Sequence, residues 1–413
     1  MGSGCVWHPN LRVCLTLTNA NWDQKMVEGS LAWRNVILVM STAFCIGVTL
    51  GLFPALIALN VENRGFDTSW NGLLAAMPAL AGIAVGSFVP RIIKQLGAFR
   101  TYVLAVSLAV IAVCLFPVFT NLAVWFVIRF AMGVGMGVQW MVSEMWVNRL
   151  AIGPRRGLIL SIYVVVLSVG LSMGPLIMSM LGTQGAGPFF FTAALLVVSC
   201  LPLFFASGSS ASENVESRPM TLVAAILRKP SAMLASVVDG FVFQTLMVFL
   251  PLYFIRLGTS ETMAINLLTA FFVGGIVLQL IVGYLLDRFA PAIVLIGCCM
   301  LLLLGLVVMA DIRDTPIMIW IVLLVMGGAA AAIYTSGLAG INDAFSAEEM
   351  PSGTSMFTML WYLGGLMGPA TAGFAMEWWN PYGMAAVVAL SVVVLAAANA
   401  LTLRRSYTAD ARK

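Results

Sequence analysis

Charge is what this chain most conspicuously lacks. Only 9% of its 413 residues are Asp, Glu, Lys or Arg, and 61% are hydrophobic. A soluble domain usually carries about 25% charged residues, so most of this surface must face lipid. Histidine is nearly missing: His8 is the only one and lies outside every apolar run, which excludes an imidazole relay inside a membrane. No Walker-type Gly-x-x-x-x-Gly-Lys-Ser/Thr loop occurs, so the chain carries no ATPase of its own. Clustered His, Asp or Cys at catalytic or ligand spacing is absent too, which speaks against an enzyme, a metal or another cofactor. Cys45, Cys114, Cys200, Cys298 and Cys299 sit in apolar runs, where cysteine acts as a small hydrophobe. The net charge of +4 forms no basic stripe, so a nucleic-acid partner is not expected.

What the chain does have is long apolar runs. About 20 apolar residues in a helix cross the ~30 Å hydrocarbon layer. Backbone polar groups there must pair internally, which makes these runs helices. The runs place six spans near 35–60, 70–93, 101–119, 122–147, 157–181 and 187–206. Six more fall near 232–256, 262–286, 291–311, 316–342, 351–376 and 382–404. Residues 1–34 read as a polar, irregular lead, 207–231 as a linker containing SGSSASENVESRP, and 405–413 as a tail. With the N-terminus cytoplasmic, 17 of the 21 Lys and Arg residues fall on cytoplasmic segments. That bias puts both termini inside. The expectation is a multi-pass monomer of the cell inner membrane, with the lipid bilayer, a small-molecule substrate and protons as its partners.

The two halves repeat. A shift of 194 residues superimposes Gly133 on Gly327, Asn148 on Asn342, Gly170 on Gly364, Gly174 on Gly368 and Pro175 on Pro369. A shift of 197 superimposes Pro54 on Pro251, Gly86 on Gly283 and Arg91 on Arg288. Parallel repeats of this kind place a site near mid-membrane at their interface and let one half rock against the other.

Motifs sharpen this picture. Gly283-Tyr-Leu-Leu-Asp287-Arg288 resembles the GxxxDR loop motif of the major facilitator superfamily, and Gly170-x-x-x-Gly174-Pro175 with Gly364-x-x-x-Gly368-Pro369 resembles its GxxxGP helix motif. Arg129-Phe-x-x-Gly133-x-Gly135, followed by Trp140 and Glu144, is similar to the YcaD-like branch. The resemblance spans nearly all of 35–404. It implies an all-α polytopic membrane protein of twelve transmembrane helices in two six-helix bundles, the major facilitator fold. The first half departs from the loop motif, with Pro90 where the second has Asp287. A charge–dipole contact at that position therefore does not carry over.

Candidate residues follow from position. On the fourth span Arg129, Gly133, Gly137, Trp140 and Glu144 share one helical face. Arg129 and Glu144 are about 22 Å apart along the axis, too far to pair. An unpaired charge near the bilayer centre costs at least about 2.5–3.5 kcal/mol. Glu144 and Asp239 are thus candidate proton-coupling acids, against the alternative that each pairs with a loop arginine. Arg129, Gln139, Trp140, Tyr163, Gln244, Tyr334, Trp361 and Tyr362 are candidate substrate contacts, although each aromatic could equally serve helix packing. Amides and aromatic walls suit a neutral or weakly charged, partly planar molecule. Arg91, Lys94, Asp287 and Arg288 are candidate gating charges, as are Asp343, Glu348 and Glu349 on the loop after the tenth span, which Arg91, Lys94 and Arg100 are expected to meet when the cytoplasmic side closes, against the alternative of solvated loop charges. The expected activity is secondary active transport by alternating access, with proton symport. An uncoupled facilitator, a drug or metabolite exporter, and a non-transporting sensor are the alternatives.

Overall fold

A computed structural model of the chain describes residues 11–86, 88–150, 156–204, 221–311, 315–342, 344–346 and 349–410. The first bundle comprises α1 (Leu11–Asn63), α2 (Thr68–Gly86), α3 (Val89–Leu96), α4 (Ala98–Leu115), α5 (Leu122–Leu150), α6 (Arg156–Leu181) and α7 (Gly187–Phe204). A short α8 (Leu222–Arg228) precedes the second bundle, which comprises α9 (Pro230–Arg256), α10 (Glu261–Val277), α11 (Gln279–Leu286), α12 (Pro291–Val308), α13 (Pro316–Asn342), α14 (Met350–Trp378) and α15 (Gly383–Asp410). Ten of these segments are long and apolar enough to span a membrane, with α10 and α11 forming one span, Glu261–Leu286. The apolar part of α7, Gly187–Leu201, is shorter. The remaining span, α14, is rich in Gly, Ser, Thr and Trp and packs against α2, α9 and α15, with Met359, Leu363, Met367 and Phe374 exposed. Two bundles of six spans result. α1 also runs upstream of its apolar span, Arg34–Asn63, back to Leu11, where the sequence read as irregular. Extending a helix that is already nucleated costs little.

The small-residue motifs do the same work in both halves. Gly170 and Gly174 of α6 bring the backbone of α1 close at Gly47, Val48 and Gly51. Gly364 and Gly368 of α14 do the same to α9 at Val237 and Phe241. Gly133 meets Pro78 of α2, and Gly327 meets Phe271 of α10. Residues related by the 194 shift therefore occupy equivalent helix crossings, as expected of duplicated bundles whose spans associate through close backbone packing.

One face of the molecule is basic. There α3, with Pro90 in its first turn, carries exposed Arg91 and Lys94 and ends at Gly97, whose φ of 81° favours glycine. Exposed Arg100, Arg228 and Arg288 lie on the same face. Exposed aliphatics such as Leu104, Ile111, Val307, Ile317 and Leu390 cover the flanks that face lipid.

Candidate functional site

The halves touch through α2 with α14, α6 with α10, and α1 with α9. The α2–α14 seam is tight from the face opposite the basic one to mid-span. Gly72 abuts Pro369, Gly373 abuts Thr68, and the Tyr362 ring lies over Gly82. At that opposite face three polar contacts tie the halves. Arg256, in the last turn of α9, donates from Nε and Nη2 to Glu62 Oε1 at 3.1 and 2.6 Å, and from Nη1 to Asn380 at 3.0 Å. Thr183 donates to Glu261 across α6 and α10. The backbone N–H of Ser69 donates to Glu377 at 3.2 Å. A vestibule of about 360 Å³ lies beside these contacts, lined by Glu62, Asp67, Glu377, Arg256 and Asn380 among others. The opposite face is therefore latched.

Toward the basic face, acids and aromatics of both halves gather around Glu144, whose exposure marks a space between them, the chamber. Glu144 on α5 accepts a hydrogen bond from the indole of Trp140, one turn back. Its side chain is exposed, yet it lies within electrostatic reach of Tyr163 on α6, Tyr334 on α13 and Tyr362 on α14. A residue so surrounded is exposed to the space between the halves, not to lipid. Asp239 on α9 is buried and accepts from the Trp361 indole at 2.7 Å. It also reaches Tyr334, so that one tyrosine faces both acids. Trp361 packs against Tyr362 and Phe243, and Tyr334 meets Phe357 edge-on at 5.1 Å. The Tyr163 hydroxyl donates to Ser143 at 3.2 Å. Gln244 borders the seam, where Gly365 faces it and Ala79 of the other half. A Cβ at Gly137 would meet only open space, on the same side of α5 as Trp140 and Glu144.

Seven of the sequence candidates thus assemble around one chamber: Trp140, Glu144, Tyr163, Asp239, Tyr334, Trp361 and Tyr362. Gln244 stands at its edge. Two lie elsewhere. Gln139 is fully buried inside the first bundle, donating to Tyr102 at 2.8 Å and Ser199 at 2.9 Å. One residue before Trp140 on a helix means about 100° of rotation, which turns its amide away. Arg129 is buried on the latched side of the same bundle, its guanidinium 5.2 Å from the Phe53 ring and 3.6 Å from the Met132 sulfur. Among the charges proposed as gates, Arg91 lies over Phe88, Arg288 over Tyr284, and Lys94 and Asp287 are exposed. Glu349 pairs with Arg228 of α8 at 2.8 Å. Asp343 and Glu348 lie outside the described residues.

The latch at the opposite face was not read from the sequence. A signal for it existed: Glu62 and Arg256 each sit in the last turn of the first span of their half, with opposite charge.

Two pseudo-equivalent six-span bundles, sealed at one face and holding acids and aromatics in a chamber at their interface, define a membrane carrier. The chain belongs to the Major Facilitator Superfamily, whose profile matches residues 37–265 and 232–413. It is 26% identical over 349 residues to an uncharacterized MFS-type transporter of Yersinia pestis (strain Pestoides F), covering 83% of this chain and 89% of that one. To the uncharacterized MFS-type transporter YcaD of Escherichia fergusonii it is 26% identical over 353 residues, covering 84% and 90%. To YfkF of Bacillus subtilis, also an uncharacterized MFS-type transporter, it is 24% identical over 341 residues, covering 80% and 86%. The solved nucleoside transporter NupG superimposes with a TM-score of 0.76 over 90% of this chain and 99% of its own, at 15% identity, a likeness of fold. The expected family and YcaD-like kinship are borne out, and the chain is a multi-pass membrane transporter, not an enzyme.

Proposed function

We propose that the protein is a proton-coupled secondary transporter of a small organic solute, working as a monomer in the cell inner membrane with its basic face and both termini cytoplasmic. The observation that carries this reading is the one-sided chamber. Glu144 is exposed between the halves toward the basic face with Asp239 buried beside the same tyrosine, while Glu62, Arg256, Thr183, Glu261, Ser69 and Glu377 close the opposite end. Rocking the halves would break that latch and expose the same acids to the other side, which is alternating access.

Each acid is held by an indole N–H, and among the described residues neither has a Lys or Arg within ion-pair distance. A carboxylate so placed alternates between charged and neutral forms at far lower cost than one locked to an arginine. In the complementary state Arg91, Lys94 and Arg100 approach the acidic loop carrying Asp343, Glu348 and Glu349, and the segment 207–231 links the moving halves. Positive charge on the basic face supports the orientation.

Reconstituted vesicles test the proposal. A proton gradient drives solute flux in the wild type, and Glu144→Gln or Asp239→Asn abolishes gradient-driven flux while counterflow at saturating solute persists. Undiminished proton-driven flux in both variants removes these acids from the coupling mechanism. Flux that ignores the gradient in the wild type leaves an uncoupled facilitator.

A further inference from the structure

We infer that the chamber selects organic cations: compact aromatic or aliphatic molecules bearing a protonated amine or quaternary ammonium, held by Glu144 and Asp239 against the Tyr163, Tyr334 and Tyr362 rings. This rests on the transport reading above and narrows its substrate. It also replaces the neutral or weakly charged solute that the amides and aromatics alone led us to expect.

The first ground is charge. The chamber brings together two carboxylates from different halves, and no described lysine or arginine pairs with either. Arg129 is the one described cation buried within a span, and it faces Phe53 about 22 Å along α5 from Glu144. An anionic solute would enter this space against two like charges with no basic group among the described residues to hold it. A neutral solute would leave the acids without a counter-charge. A cation supplies what the protein does not.

The second ground is the wall. Tyr163, Tyr334 and Tyr362 all lie within electrostatic reach of Glu144, and Trp140 and Trp361 adjoin them through their bonds to the two acids. Ring faces carry negative quadrupole density and attract ammonium groups, most strongly where water is sparse. Rings around a carboxylate therefore add to its preference for a cation, whereas for an anion they subtract.

The approach from the far side points the same way. The vestibule at the latched face holds Glu62, Asp67 and Glu377 against Arg256 alone. A cleft lined mainly by one sign of charge concentrates the opposite sign. The chamber and its outer approach thus share a polarity.

The test uses three probes of similar size on the purified full chain in nanodiscs: benzyltrimethylammonium, phenylmethanesulfonate and benzyl alcohol. Binding is read by tryptophan fluorescence and confirmed by equilibrium dialysis. The ammonium is expected to bind at least about tenfold tighter than the other two, and Glu144→Gln or Asp239→Asn to weaken it by about tenfold or more. Tyr334→Leu is expected to weaken it about threefold or more, while Tyr334→Phe keeps the ring and the affinity. Equal binding of the sulfonate or the alcohol overturns the assignment, as does failure of the ammonium to bind or affinity untouched in both carboxamide variants. The transport reading is judged separately, by labelling of Gly137→Cys from each face. If that cysteine is reached from the two faces in turn and the ammonium does not bind, only the cation assignment falls. If it is reached from one face under every condition, the transport reading falls.

Discussion

Removing the arginine of the latch should open the sealed face by a calculable amount. Arg256 makes two hydrogen bonds to Glu62 and one to Asn380. Hydrogen bonds involving a charged group contribute about 1.5–3 kcal/mol when well shielded, and exposed ion pairs under about 1 kcal/mol. Here the two side chains are 19% and 27% exposed, so the set falls between, at about 1–2 kcal/mol. Asn380 belongs to the same half as Arg256, but the two Glu62 contacts exist only with the opposite face closed, so Arg256→Ala shifts the closed-to-open ratio by their value, about 5–30-fold. Thr68 is buried under the seam against Gly373 and makes a conservative reporter as Thr68→Cys. Its labelling by a membrane-impermeant maleimide should accelerate by that factor when Arg256→Ala is added, measured against a parent lacking the reporter. Glu62→Gln should do much the same, and the double variant should be no faster than Arg256→Ala alone, since both break one interaction. Rates unchanged within twofold, or additive effects of the two substitutions, would refute the latch.

Bulk at the seam should act in the same direction. Gly373→Leu and Gly72→Val place atoms against the backbone carbonyls of Thr68 and Pro369, which cannot move aside, and should raise Thr68→Cys labelling, whereas Gly137→Ala faces open space and should leave thermal stability unchanged. Gln139→Ala removes the donor to Tyr102 and Ser199 and should cost about 1–3 kcal/mol in thermal unfolding without changing solute affinity. At the basic face, the hydrogen bond from Arg228, helped by the Ser346 backbone, holds the Glu349 carboxyl below the ordinary glutamate range. A lowered folded value means that docking of α8 is fully present above the ordinary value, about 4.3, and is lost as pH falls through the lowered one. A spin label on α8 should therefore gain mobility only in strong acid, and Arg228→Ala should make it mobile at neutral pH.

The spans, the duplication and the central acids were legible in the sequence because each leaves a one-dimensional trace: an apolar run of membrane length, a constant offset, a charge where charge is costly. α14 shows the limit of the first trace. Its Gly, Ser and Trp content dilutes its hydropathy, and the repeated GxxxGP motif reinforces a span that the apolar run alone marks weakly. Gln139 shows the limit of reading polarity alone. It neighbours Trp140 in the chain, but a turn of 100° sends it toward Tyr102 instead of the chamber. The latch was hidden for another reason. Glu62 and Arg256 are 194 residues apart, and although their opposite charges mark equivalent span ends, their pairing depends on how two bundles lean together.

Arg129 poses the sharpest question about why a charge sits where it does. It is 4% exposed, its Nε has no hydrogen-bond partner, and its contacts are the Phe53 ring and the Met132 sulfur. Cation–π attraction contributes about 2 kcal/mol when desolvated, while a cation at membrane depth costs at least about 2.5–3.5 kcal/mol. The residue is therefore a net cost to folding of about 0.5–1.5 kcal/mol, which Arg129→Met, similar in length and apolar, should relieve. The expected signature is a rise in thermal stability of about 0.5–1.5 kcal/mol together with slowed solute flux, because a guanidinium kept at a loss is kept for a state in which it finds a partner. Opening the latch would bring water and the vestibule carboxylates toward it, and those are the partners available on that side. If Arg129→Met instead lowers stability and leaves flux intact, the guanidinium is already satisfied in the closed state, and its place on the face shared with Trp140 and Glu144 has no bearing on transport.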